Sequence, residues 1–400
     1  MLYLPYNRIK AYNRSMTKDN LDNFGYSYTK NEIEGQPDLW IKVYELILAK
    51  EEQLTSFLTP LLSLDDLQII LTGAGSSAFI GEAAQTLVQQ KTGRNTKAIP
   101  TTDIVTHPEL FFQPGLSTLV ISFARSGNSP ESVETVKLAD QFCENVYHLI
   151  ISCNKDGELL NYAAENADRS YALLLPEGSN DKSLAMTGSF TSMLLSVLLI
   201  SDLKNLKNNE QEIKWIVNQG KVILENSMFF KEIAAKKFER VVFLGSGPML
   251  GIARECHLKL QELTDGQIIC KHDSFLGFRH GPRAVTNENT LLVYLFSPID
   301  HVYKYELDLA QSIARDPQNI DCLSIGRPEE KTLRSCLNID LKVNSFQIWN
   351  IVPVTLVGQL LGFYKSLERN LNPDNPSVSG SISRVVQGVT IYEHPQRALK

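Results

Sequence analysis

Hydrophobic positions along the chain gather into short continuous runs, and the stretches between them carry apolar residues at helical spacing. The runs at 67–72 (LQIILT), 97–101, 119–123 (LVISF), 148–152 (HLIIS) and 171–175 (YALLL) are rich in β-branched residues, as strands buried on both faces are. Between them, 77–91 and 130–143 repeat with the period of a helix. Strand and helix in alternation predict a doubly wound α/β unit around a parallel sheet.

An offset of 172 residues carries this series onto a second one. Strand candidates recur at 239–244 (ERVVFL), 269–273, 291–295 (LLVYL), 320–324 (IDCLS) and near 343. The same offset lays LTGAGSSAFIGEAA at 71–84 over FLGSGPMLGIAREC at 243–256. The chain therefore reads as two tandem doubly wound, flavodoxin-like parallel-sheet units. We expect a partly helical lead over 1–50 packed outside the first unit, a first unit over 51–205, a second over 206–390 and a tail over 391–400. The lead contains Thr29, Glu32 and Trp40, and the polar stretch 204–212 (KNLKNNEQE) marks the boundary between units.

Two loops of the first unit are over-supplied with hydrogen-bond donors. Strand 67–72 runs into Gly73-Ala74-Gly75-Ser76-Ser77 before a helix, where glycines permit a tight turn and backbone N–H groups and hydroxyls face an anion. A tight turn with a serine cap explains that loop equally well. Strand 119–123 ends in Ala124-Arg125-Ser126-Gly127-Asn128-Ser129-Pro130-Glu131, in which Ser129 suits a helix N-cap and Pro130 the first helical position. Capping needs Ser129 alone, so Arg125, Ser126 and Asn128 are surplus and point to a phosphate monoester. The second copy supports that reading: its counterparts are Gly247-Pro248-Met249 and Pro298-Ile299-Asp300, and both donor sets are gone.

The second copy gains charge instead. On the helix predicted over 250–265, Glu255, Lys259 and Glu262 replace Ala83, Leu87 and Gln90, and their spacing places all three on one face. A solvated ion pair accounts for this pattern, but the neighbours are apolar and Gly266 ends the helix just after Glu262. A carboxylate in a last turn feels the negative end of the helix dipole, which raises its pKa and suits a general base. Downstream, His280 lies between Arg279 and Arg283 in the loop Ser274 to Arg283, bracketed by Gly281 and Pro282. It is either a loop histidine satisfied by backbone or a catalytic one. The remaining histidines show weaker patterns: His257 is on the helix and His148 begins a strand, while His107, His272, His301 and His394 lack a partner cluster. No spacing of His and Cys suggests a metal.

Composition narrows the class. Hydrophobic residues make 43% and charged ones 21%, ordinary globular values that exclude a disordered chain. The 39 Lys and Arg against 45 Asp and Glu leave a net charge of −6 with no basic run, which excludes a nucleic-acid partner. The longest apolar stretch, 193–200, is too short to span a membrane, and the N-terminus is too polar for a signal peptide. A cytoplasmic protein is expected, with Cys143, Cys153, Cys256, Cys270, Cys322 and Cys336 as reduced thiols.

GAGSSAF, ARSGNSPES, and ARECHLKLQELTDG followed by FLGFRHGP together resemble tandem sugar isomerase (SIS) proteins, including the isomerase half of glucosamine-6-phosphate synthase, over about residues 50–390. The loop 124–131, the segment 276–282, Asp374 to Ser377 and Arg384 to Thr390 resemble more closely the AgaS-type tagatose-6-phosphate ketose/aldose isomerases, also described as galactosamine-6-phosphate deaminase/isomerases. The resemblance implies that Ser76, Ser77, Ser126 and Ser129 hold a sugar phosphate, with Thr187 lining the pocket. It implies that Glu262 shuttles a proton and that His280, supplied across the interface of a homodimer or higher homo-oligomer, opens the sugar ring. Lys259 or Arg125 then stabilises developing oxyanion charge. Where the synthases carry a lysine near the C-terminus this chain has Gln387, which excludes a Schiff base there, and it has no glutaminase domain. The expected reaction is conversion of galactosamine 6-phosphate to tagatose 6-phosphate and ammonia through an enolamine, with no cofactor or metal. Plain ketose/aldose isomerisation and a non-catalytic sugar-phosphate sensor are the alternatives. Residues 1–15 fit none of the family's pattern.

Overall fold

The computed structural model describes residues 27–318, 320–327, 333, 336–341, 347–386 and 388–394; residues 1–15, Gln387 and position 343 lie outside the described residues. Two five-stranded parallel sheets form the frame. The first contains β1 (Gln68–Thr72), β2 (Asn95–Ala98), β3 (Thr118–Ala124), β4 (Val146–Ser152) and β5 (Ser170–Leu174) in the order β2-β1-β3-β4-β5. The second contains β6 (Arg240–Leu244), β7 (Ile269–Asp273), β8 (Thr290–Leu295), β9 (Asp321–Ile325) and β10 (Cys336–Ile339) in the order β10-β9-β8-β6-β7, the same succession. Even the register repeats: Gln68 pairs with Thr118, and Arg240 with Thr290. Every residue of β3 and of β8 is buried, which is why both read as unbroken apolar runs.

The element bounds differ from the hydrophobic runs where turn chemistry intervenes. The run at 97–101 is strand only to Ala98, because Pro100 starts a short helix at Thr101. The charged helix spans Pro248–Leu263, two residues earlier than its periodicity suggests, since Pro248 is pre-organised for a first turn.

Among the described residues two helices of the lead, α1 (Ser27–Glu34) and α2 (Gln36–Ala49), and a first helix of the first unit, α3 (Glu51–Leu62), precede β1. They are built into the core: Trp40 is fully buried and its indole N–H donates to Thr191 Oγ1 at 3.0 Å. Thr191 belongs to α6 (Gly188–Ser201), which is apolar all round and buried from Gly188 to Ile200, as a central helix must be. In the first unit α4 (Ser76–Thr92) follows β1 and α5 (Pro130–Phe142) follows β3. The polar boundary stretch runs directly into α7 (Glu210–Glu225), whose Gly220 would bring a Cβ within 2.5 Å of the Trp40 ring.

In the second unit α8 (Pro248–Leu263), α9 (Asp300–Ala314) and α10 (Leu356–Glu368) surround the sheet. The two units meet through α4 and α8, related helices that cross at Gly251. A Cβ there would stand 2.5 Å from the Ala83 amide nitrogen, so only glycine allows the approach. Glu82 and Arg254, themselves 172 residues apart, form an ion pair beside the crossing. After α10 the chain returns to the first unit: Leu184 N–H donates to Asp374 O at 2.9 Å, and His394 pairs with Glu109 at 3.5 Å.

Cys143, Cys153, Cys256 and Cys270 are free thiols, but Cys322 in β9 is disulfide-bonded, which corrects the expectation that all six are reduced. Among the described residues no helix is long and apolar enough to cross a membrane.

Candidate active site

The carboxyl ends of β1 and β3 open onto one crevice. Gly75, at φ 56° and ψ −128°, turns the chain so that α4 begins at Ser76 with both serines buried at its N-terminus. Ser77 Oγ has a single weak contact, to Met186 Sδ at 3.8 Å. Thr72 and Ser122, register partners on β1 and β3, bury hydroxyls that have no hydrogen-bond partner among the described residues.

The second loop is more self-contained than its donor count suggests. Ser129 holds the N-cap position, yet its hydroxyl makes no cap bond and donates to Ser132 Oγ at 2.6 Å. Ser126 Oγ accepts from Asn128 N–H at 3.3 Å, and Asn128 Oδ1 accepts from Glu158 N–H at 2.8 Å. Arg125 is buried and spans three backbone carbonyls: Ser183 at 3.4 Å, Leu184 at 2.9 Å and that of Arg384. Burial holds its guanidinium below the ordinary arginine value, against the pull of Asp181 and with Arg384 adding to the effect.

Across the α4–α8 crossing stands the charged face of α8. Lys259 Nζ lies 2.5 Å from Glu262 Oε2 and 3.5 Å from Glu255 Oε1. Lys259 and Glu255 are fully buried, whereas Glu262 keeps 23% of its side chain exposed, so it alone of the three reaches solvent. Burial pushes the Glu255 carboxyl up to about 8; the Lys259 ammonium and Ser76 hydroxyl pull it back, and Glu262 adds to the rise. Burial would lower the Lys259 ammonium, but Glu255 and Glu262 outweigh it and hold the group above the ordinary lysine value. Arg125 and Glu262 are close enough to act on one another electrostatically. The serine turn, Arg125 and the α8 triad thus form one neighbourhood, although they come from both units.

Two expected residues are placed differently. Thr187 holds the N-cap position of α6 without a side-chain cap bond; it is fully buried and its hydroxyl donates to Asp181 Oδ1 at 2.8 Å, so it does not present a donor to the crevice. His280 is exposed, and among the described residues no side-chain contact joins it to Glu262, Lys259 or the serine turns. Its flanking arginines turn away, Arg279 to Asp308 at 2.6 Å and Arg283 to Asp316 at 3.0 Å. His272, expected to lack a partner cluster, packs against His257 with ring centroids 4.6 Å apart and planes tilted by 33°. Burial and the neighbouring His257 drive it down to about 4.

Sequence reasoning missed the frame behind the site. Asp181 takes five hydrogen bonds from Thr187, Gly188 and Ser189. Its own carbonyl accepts from Arg384 Nε at 2.8 Å, and Glu32 of α1 accepts from Lys182 N–H at 2.5 Å. Burial raises the Glu32 carboxyl, and Asp181 adds to the rise. No local pattern marks these residues, because Glu32 and Arg384 reach across 150 and 203 positions, and Asp181 meets its partners six to eight residues on through an irregular segment. Among the described residues no group of three or more His, Cys, Asp or Glu converges as a metal site would.

Residues 62–201 match the SIS domain model. The chain is 38% identical over 384 residues to D-galactosamine-6-phosphate deaminase AgaS of Shewanella sp. (strain ANA-3), covering 95% of each chain. It is 39% identical to D-galactosamine-6-phosphate deaminase AgaS of Escherichia coli, over 93% of this chain and 97% of that one. Among solved structures it is similar to tagatose-6-phosphate ketose/aldose isomerase from Escherichia coli, with a TM-score of 0.85 and 37% identity over 93% of this chain and 97% of that one. The glucosamine-6-phosphate deaminase from Thermotoga maritima shares the fold at a TM-score of 0.66 and 21% identity.

Proposed function

The chain belongs to the family of the AgaS D-galactosamine-6-phosphate deaminases, and from that membership we propose that it converts galactosamine 6-phosphate to tagatose 6-phosphate and ammonia. One observation carries the assignment of the chemistry to residues: a partly exposed carboxylate, Glu262, is held at 2.5 Å by a buried ammonium beside the serine turn of the other unit. A sensor needs the turn but not the carboxylate. The first unit binds the phosphate through Ser76, Ser77, Ser126 and Ser129, and the second supplies the base.

Phosphate binding at the end of the sugar remote from the reaction orients C1 and C2 over Glu262. Opening of the pyranose moves the anomeric hydroxyl proton to the ring oxygen and exposes the C1 aldehyde. Glu262 takes the C2 proton, leaving a C1–C2 enolamine whose oxygen charge Lys259 or Arg125 stabilises. Return of the proton to C1 gives a C2 ketimine, and water adds to it to release ammonia and leave the ketose. His280 performs the ring opening from a second copy of the chain. Its exposure, with no contact to the Glu262 cluster among the described residues, fits a homodimer with shared sites.

Ammonia release from galactosamine 6-phosphate and glucosamine 6-phosphate, measured in parallel with Glu262→Gln, tests the reading. Release from the galacto sugar, lost in the variant while binding persists, is expected. Ketose formed from a neutral aldose phosphate without ammonia from either amino sugar would make the protein a plain isomerase. Binding without any product would make it a sensor.

A further inference from the structure

The second unit keeps the backbone of the anion turn. Gly247 has φ 57° and ψ −129° against 56° and −128° at Gly75, so the turns from β1 to α4 and from β6 to α8 have one shape. The donors differ, since Pro248 and Met249 stand where Ser76 and Ser77 do. A turn of this shape beside an inward-facing N–H leaves polar groups that need a partner once buried.

That partner comes from the chain itself. Glu306, on α9, is fully buried. Its Oε2 accepts the Ser297 N–H at 2.7 Å, and the Ser246 hydroxyl is near enough to the same carboxyl to favour its charged form. At the 172-residue offset, Ser246 corresponds to Ala74 and Ser297 to Arg125, so the carboxyl lies between the second unit's counterparts of the two turns that enclose the crevice in the first unit. Its other oxygen, Oε1, has no hydrogen-bond partner among the described residues. Arg327 closes the mouth: it donates to Ser297 O at 3.0 Å, pairs with Asp300 at 3.0 Å and stacks 4.6 Å over Tyr303. Burial raises the Glu306 carboxyl, opposed by the Ser297 N–H, the Ser246 hydroxyl and Arg327. The first-unit counterpart, Glu134, is only half-buried, and among the described residues no hydrogen bond is seen from its carboxyl to either first-unit turn.

We propose that Glu306 is an intramolecular stand-in for a bound anion: it fills the second unit's crevice, limits each chain to one phosphate site, and on removal uncovers a site for a small carboxylate or phosphate. The inference rests on the repeat and not on the substrate assigned to the first unit.

Glu306→Ala deletes the equivalent of acetate, so the probe is acetate at ionic strength matched with chloride, and the readout is the unfolding temperature. Glu306→Ala is expected to unfold earlier than the parent and to regain roughly 1 °C or more at saturating acetate, with no such gain in the parent or in Glu306→Gln. The gain persists when Ser77→Ala and Ser126→Ala are added; its loss there would place the anion in the first unit and overturn the proposal. Absence of an acetate-specific gain in folded Glu306→Ala overturns it as well. Titration of the parent with inorganic phosphate provides a measurement that needs no variant: one site per chain is expected, and a second site, in the second unit, would refute the filled crevice. If Glu306→Ala does not fold unaided, recovery of folded protein by acetate during refolding supports the proposal, and no recovery with either anion counts against it.

Discussion

Replacing Glu255 by glutamine keeps the shape of a fully buried side chain and removes its ability to bind a proton, so it isolates the electrostatics of the α8 triad. In the folded protein burial moves this carboxyl from 4.5 to about 8, whereas the unfolded chain ionises near the ordinary value. Between those two values the native state holds a proton that the unfolded state has lost, so wild-type stability falls as pH rises through this window. At about 1.4 kcal/mol per pH unit the ceiling is on the order of 5 kcal/mol, reduced by the titration of coupled neighbours. The groups facing Glu255 are Lys259 and Glu262 on its own helix and Ser76 on α4. A chain of 400 residues unfolds with an entropy of roughly 0.8 kcal/mol/K, so a change of a few kcal/mol reads as roughly 3–6 °C. Scanning calorimetry of parent and Glu255→Gln at about pH 5.5 and about pH 8.5 should show the variant gaining that much on the parent as pH rises. Parallel profiles would refute the reasoning, because they would mean that Lys259 keeps Glu255 ionised throughout.

Three further outcomes follow from the geometry. Asp181→Ala strips the α6 N-terminus of five hydrogen bonds and should cost about 3 kcal/mol, seen as a fall of roughly 4 °C in the unfolding temperature, with Asp181→Asn losing less. Arg125→Lys cannot span the carbonyls of Ser183, Leu184 and Arg384 together, so limited proteolysis should cut the segment 374–394 faster in the variant. Unchanged cleavage would mean that Asp181 and Asn180 hold Arg384 without help. Ser77→Ala should raise KM for the sugar phosphate by about tenfold with kcat little changed, since the hydroxyl has only a weak internal partner to leave.

The repeat shows how far a sequence can be read without a structure. Gly73, Gly75 and the 172-residue offset locate both turns, and the structure gives Gly75 and Gly247 almost the same dihedrals. Glu255, Lys259 and Glu262 are visible as charges gained on one helical face. What periodicity leaves out is that two of them are sealed from water while the third is not. Thr187 is the converse case: its helix-start position is legible, but Asp181, six residues upstream and folded back over the same helix end, takes its hydroxyl. His280 likewise stands in a recognisable loop whose distance from Glu262 no spacing reveals.

By itself the sequence determined the elements, their duplication and the two turns, because strand and helix periods and glycine's positive φ act over a few residues; the sugar-phosphate chemistry came from the resemblance of its motifs to the SIS family. Only the tertiary structure decided which remote groups these charged side chains meet. Arg125 reaches Arg384 across 259 positions, Glu32 reaches Lys182 across 150, and Glu306 folds back into the crevice of its own unit. Desolvation and Coulomb forces depend on distance and burial in space, and neither is written in the order of residues along the chain.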